Sequence, residues 1–235
     1  MRAVTCLIAI ILATTTFMNA AWAGEAEDRK SRSIAVLTTE GVPYLDTLPV
    51  IETEATSALR SQREVVERTI ALAIVAVKGE TANHELGQSL IAQFGAQAFF
   101  TPAEQAFMAN PDPSHEDRVR FTWRYEGVHV MLWALGIYPE LGRPDQITDV
   151  PLLAGVLRDL GTEGLMTQSR LRPQAQILDA ADLIYRYNWA ATDARINGRE
   201  IPAGLDGSVV YERHYALNWL IGYQDQDWDD VSTDT

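Results

Sequence analysis

Two four-residue signals limit what this chain can fold into. Ser61-Gln62-Arg63-Glu64 and Thr101-Pro102-Ala103-Glu104 are capping boxes, in which the first side chain accepts a helix-start N–H and the glutamate reaches back to the cap. Proline at the second position of the latter costs nothing, because that N–H would go unpaired anyway. Val65, Ile70, Leu72, Val75 and Val77 follow the first box at helical spacing, predicting a helix from Ser61 to Lys78 that ends at Gly79. Further helices are predicted from Thr101, over Ser114 to Tyr138, Thr148 to Leu160, Pro173 to Ala194 and Ser208 to Leu220. Gly, Asn and Pro separate them, with no repeat and no clear internal boundary. The expectation is a mainly α, single compact multi-helix domain over residues 33–235. It carries one short N-terminal strand or extended segment. Ser33 to Thr39 reads as the strand, and Gly41-Val42-Pro43 and Leu48-Pro49 as extended loop covering another element.

Three of these helices share an oddity. Val119, Trp123, Glu126, Val130 and Trp133 follow at spacings of four, three, four and three, which sets a glutamate inside an apolar face. Asp182 lies likewise between Leu178, Tyr185 and Trp189, and Glu212 between Val209, Ala216 and Trp219. An unpaired buried carboxylate costs several kcal/mol, so each needs a partner or a proton. Arg124, Arg186 and Arg213 are the nearest donors in sequence, and Asp182 with Arg186 has the favourable acid-first spacing of four. A structural ion network is the first reading, since such networks shift pKa values without any function. The sharper reading makes some of these groups an acid, a base or a metal ligand.

The first 23 residues read as an export signal. Arg2 gives a positive start, Leu7 to Phe17 a short apolar run, and Ala21-Trp22-Ala23 small residues at a peptidase site, with cleavage expected after Ala23. Cys6, the one cysteine, lies inside the removed piece, which argues against lipid anchoring, a disulfide framework or a cysteine-based zinc site. Residues 24–32 are charged and apolar-poor, and read as a flexible leader. Cleavage removes one of 19 basic residues and none of 32 acidic ones, moving the net charge from −13 to −14. With two lysines, Lys30 and Lys78, and no basic run, neither nucleic acid nor an anionic membrane surface is an expected partner. No later run is long enough to span a bilayer, so the expected location is periplasmic or extracellular, without stable membrane insertion.

Catalytic motifs are missing or incomplete. Glu126 and His129 have the Glu-x-x-His spacing of di-iron bundles, but that site needs the motif twice, and no other histidine has glutamate three residues before it. A satisfied, near-core histidine is the expected fate of His129. His84-Glu85 opens like a zincin helix, but Gln88 occupies the second histidine's place. Asp225, Asp227 and Asp229 open like a calcium loop, yet Asp230 replaces the turn glycine and the closing acid is missing, so a solvated acidic tail is expected. There is no Gly-x-Ser-x-Gly, Ser-x-x-Lys or phosphate-cradling glycine loop. No metal and no cofactor is expected.

A set of motifs spans most of the chain: Arg60-Ser61 with Glu64-Val65 and Arg68, Trp123-Arg124-Tyr125-Glu126, Leu132-Trp133-Ala134-Leu135-Gly136, Leu171-Arg172-Pro173, Ile177-Leu178-Asp179, Asp182 to Arg186, Glu212 to Trp219, and Trp228 to Thr235. In combination they resemble DUF4272, a bacterial family of unknown function. The resemblance implies a mainly helical domain and supplies no activity, substrate or catalytic residue. The ligand-binding candidates are therefore Arg124, Glu126, Asp179, Asp182, Arg186, Glu212 and Arg213. The expected function is non-enzymatic binding of a protein partner or small ligand in a groove between helices. The alternative is a hydrolase using Glu126, Asp182 and Glu212, with anion stabilisation by arginine and metal assistance as an option.

Overall fold

The computed structural model describes residues 24–235, and the expected export signal lies outside them. Helix α1 covers residues 24–40. It is followed by α2 (Gln62–Thr81), α3 (His84–Phe94), α4 (Pro102–Ala109), α5 (His115–Thr122), α6 (Arg124–Ala134), α7 (Val150–Gln168), α8 (Gln174–Ile196) and α9 (Gly207–Leu220). Three single 3-10 turns stand at Pro202–Gly204, Tyr223–Asp225 and Trp228–Asp230. No strand occurs among the described residues, and the helices share one hydrophobic core.

Both expectations for the N-terminal part are corrected. Residues 24–32 are not a loose leader and Ser33 to Thr39 is not a strand, because both lie in α1. Its buried face is Ala26, Arg29, Ser33 and Leu37, at spacings of three, four and four. That is a helical stripe, but two of its four members are polar, so apolar periodicity does not disclose it. Gly41, in the left-handed conformation at φ 71°, lets Val42 N–H close the helix onto Leu37 O at 2.9 Å. The segment that follows is extended, as expected, and covers α8: Pro49 O accepts from Arg186 Nη2, and Glu54 O from Gln174 Nε2.

Both capping boxes form with reciprocal bonds. Helix α2 is the centre of the fold, packed on α5, α6, α3 and α7, while α9 lies against α6 and α8. The close approach of α2 and α5 requires Gly79, where a Cβ would lie 2.7 Å from Arg118 O and 2.9 Å from Thr122 N. The helix expected from Ser114 to Tyr138 is two helices. At Trp123 the backbone tightens so that Glu126 N–H bonds to Trp123 O, and Val119, expected on the buried face, is exposed. Helix α7 runs beyond Leu160, with Gly161 (φ 60°, ψ −172°) a kink inside it. The α3 helix, set aside with the zincin motif, is real and is capped by Asn83.

Lys78 shows how the fold absorbs an unusual residue. Its side chain is fully buried at the end of α2, and Nζ donates to the carbonyls of Phe107, Met108 and Asn110 at 2.6–3.0 Å. It thereby satisfies the open carbonyl end of α4, where a cation is favoured.

Candidate functional site

Each carboxylate inside an apolar stripe meets the kind of partner expected. Glu126 on α6 is 2% exposed, and both oxygens are occupied: Oε1 accepts Thr148 N–H at 2.6 Å and Oε2 accepts Arg213 Nε–H at 2.9 Å. Arg213, on α9, also donates to the carbonyls of Leu141 and Gly142. Asp182 is held by both arms of Arg186, at 2.7 and 2.8 Å, one turn along α8. Arg186 Nη2 also donates to Pro49 O at 3.3 Å, and no second carboxylate pairs with this guanidinium among the described residues. Asp179 is half-exposed at the α1–α8 contact, 2.6 Å from Arg32 and 3.3 Å from Arg29.

Glu212 differs. Arg124 Nη1 donates to its Oε2 at 2.8 Å, and no side chain or backbone group among the described residues donates to Oε1. Burial pushes the Glu212 carboxyl above its usual range; Arg124 pulls it back, and the neighbouring Glu126 charge adds a smaller upward push. Arg124 is itself sandwiched, its guanidinium 4.8 Å from the Tyr215 ring and 5.7 Å from the Trp228 ring.

Glu212 lies at the wall of a groove of about 750 Å³. One side is the α8 stripe Asn188, Ala191, Thr192 and Arg195; the other is the first turns of α9, with Ser208 and Tyr211; Trp123 closes an end. Asp206, at its rim, is committed to capping α9 through Ser208 and Val209 N–H. Of the sequence candidates, then, Glu126, Arg213, Arg124 and Glu212 share one network across α6 and α9, whereas Asp182, Arg186 and Asp179 belong to the α8 face that meets α1 and the loop. The three carboxylates of the hydrolase alternative do not converge. Tyr211, Asn188, Thr192 and Arg195 were not foreseen, although the last three sit at helical spacing and Asn188 stands two residues beyond Arg186. The buried pair Arg68–Glu104 was also missed; Glu104 Oε2 serves both the capping box and Arg68 Nη2 at 2.5 Å.

The metal motifs are used internally. His129 Nδ1 is 2.9 Å from Thr148 Oγ1 and Nε2 is 3.0 Å from Leu141 O, with burial and the Arg213 charge pushing its pKa down to about 4. In the tail, Asp229 caps α4 by accepting Ala103 N–H at 3.1 Å, and Trp228 is buried between Arg68, Tyr215 and Trp219. The tail is thus anchored through Trp228, while Asp225, Asp227, Asp229 and Asp230 are exposed to solvent, as expected. Among the described residues no three His, Cys, Asp or Glu side chains are placed to hold a metal ion, and no helix is long and apolar enough to cross a membrane.

The family model for a domain of unknown function, DUF4272, matches residues 29–231, which takes in every element from within α1 to the Trp228 turn. The chain belongs to the DUF4272 family. Neither a curated protein nor a solved structure matches it. In this DUF4272 member the motif tryptophans and arginines lie together: Trp123 and Glu212 on the groove, Trp219 and Trp228 stacked edge to face at 5.5 Å, and Arg68 and Arg124 over Trp228.

Proposed function

We propose that this DUF4272 protein is exported and binds a small polar ligand in the groove between α8 and α9, without transforming it. One observation carries the reading: Glu212 presents an unengaged oxygen to the groove, while Glu126 and Asp182 are fully engaged with their own partners. Tyr211 and Trp123 offer flat apolar faces, and Ser208, Thr192 and Arg195 polar groups, a mixture suited to a ligand with both kinds of surface. Export rests on the leader sequence of residues 1–23, and the absence of a cysteine at its cleavage point favours a periplasmic or extracellular protein without a lipid anchor.

A library of small polar metabolites screened by thermal melting of the purified protein tests this. A ligand at a hundred times its dissociation constant stabilises by about 2.7 kcal/mol. For a chain of this size that is a shift of roughly 5–10 °C. The expected hit loses its shift in Glu212→Gln and in Tyr211→Ala. A hit indifferent to both substitutions, or none across the library, removes the reading. The raised Glu212 carboxyl favours one second reading, a hydrolase in which it is the general acid. In that case a panel of ester, amide and glycoside substrates is turned over, and Glu212→Gln stops turnover while leaving the melting temperature near that of the unaltered protein.

A further inference from the structure

A second cavity, of about 250 Å³, lies on the far side of α9, between the extended loop, Tyr185 of α8 and the C-terminal segment. Two polar groups that line it have no partner. His214 is 1% exposed and its Nδ1 makes no hydrogen bond; Glu52 Oε2 is likewise buried and unpaired. Buried unpaired atoms are uncommon in folded proteins, and of the nine among the described residues these two belong to residues from different segments on one cavity wall. The cavity far exceeds the roughly 10–15 Å³ that one water needs.

The chemistry of the wall selects the occupant. The carboxylate of Glu52 offers acceptors only. Asp234, on the same wall, accepts from Tyr223 Oη at 3.2 and 3.3 Å and retains acceptor capacity. Burial holds His214 neutral, so one ring nitrogen is an acceptor. Asn218 has given one of its two amide N–H donors to Ser232 O, and its Oδ1 is a further acceptor. No lysine or arginine lines the cavity. The nearest cations behind the wall are compensated: Arg186 by Asp182, and Arg29, which donates to the Glu52 carbonyl, by Glu25 and Asp179. Tyr185 and Tyr223 add ring faces. With acceptors in excess, two carboxylates and aromatic walls, we infer that this cavity is a binding site for a small organic cation carrying several N–H donors, of the alkylammonium or alkylguanidinium class. A bare metal ion does not fit, since Glu52, Asp234 and His214 do not converge as ligands.

Butylammonium and butylguanidinium, with 1-butanol and butyrate as neutral and anionic counterparts, test this by calorimetric titration and by the His214 ring resonances. The expected result is saturable one-to-one binding of a cation, a shift of the His214 signals in the unmodified protein, and at least tenfold weaker binding in Glu52→Gln, with Glu116→Gln, at an exposed carboxylate outside both sites, without effect. The proposal is overturned if neither cation saturates, if butanol or butyrate binds equally well, if the His214 signals stay fixed on binding, or if Glu52→Gln binds as the unmodified protein does. Because the resonance shift is read in the unmodified protein, it decides the matter even where the variant does not fold.

Discussion

Glu126→Gln and Glu212→Gln remove one charge each from the same network, and the structure makes their costs unequal. In Glu126→Gln the amide can accept from Thr148 N–H or from Arg213 Nε–H, but not both, and its own NH₂ then faces a donor. Arg213, 3% exposed, keeps its charge with two carbonyls and no anion. Breaking a buried pair from one side costs about 3–5 kcal/mol. For a protein this long, roughly 2–4 °C per kcal/mol makes that a drop of about 6–20 °C in Tm. At Glu212 the pair is 14% and 11% exposed, and burial already favours the neutral carboxyl that glutamine imitates. The expected cost there is about 1 kcal/mol. Urea unfolding followed by tryptophan fluorescence, with the five tryptophans beyond residue 23 as reporters, measures both. Replacing Glu126 and Arg213 together by methionine should recover part of the loss, since no charge is then stranded. A Glu126→Gln cost below about 1 kcal/mol, or one smaller than that of Glu212→Gln, refutes the reasoning.

Three further outcomes are expected. His129 and His214, both pushed down to about 4, should show no imidazole titration above pH 5 by NMR; between about 6.5 and 4 the unfolded chain takes up protons that the folded one refuses, so these two groups lower stability as pH falls, against the opposite trend of Glu212. A His214 midpoint near 6.5 in the folded protein contradicts this. Gly79→Ala forces a methyl against the Arg118 carbonyl and Thr122 amide, backbone atoms with no room to yield, and should cost about 1–3 kcal/mol by urea unfolding. Trp228→Ala should cost about 3–5 kcal/mol and open the tail to proteolysis near residue 228, since the indole packs on Tyr215 and Trp219 and beneath two guanidinium groups.

The parts of the fold that were legible are those written in local code. Both capping boxes and the α8 and α9 helices follow from short-range patterns whose physics is complete within a few residues. The arginine partners of the three carboxylates were legible too, because a buried charge demands a partner and few cations were on offer. Helix α1 was not, since its buried stripe contains Arg29 and Ser33, and Arg29 is met not only by Glu25 one turn before it but by Glu52 O and Asp179 from far along the chain. The break at Trp123 is equally silent in sequence: no proline or glycine marks it, and it arises where α5 turns towards α2. The cavity at His214 needed the loop, α8, α9 and the tail in place at once.

The burial of Trp228 also orders events in time. Its indole completes a wall against Gly127, Tyr215 and Trp219, while Arg60, before α2, donates to Trp219 O and Gln226 O and so ties the beginning of the bundle to its close. Contacts so distant in sequence form late and slowly. A ribosome that has released only the residues up to the end of α9 has produced a bundle lacking one wall of its core and the Arg60 clasp to Gln226. The closing contacts of the bundle are therefore available only when nearly the whole chain has been made.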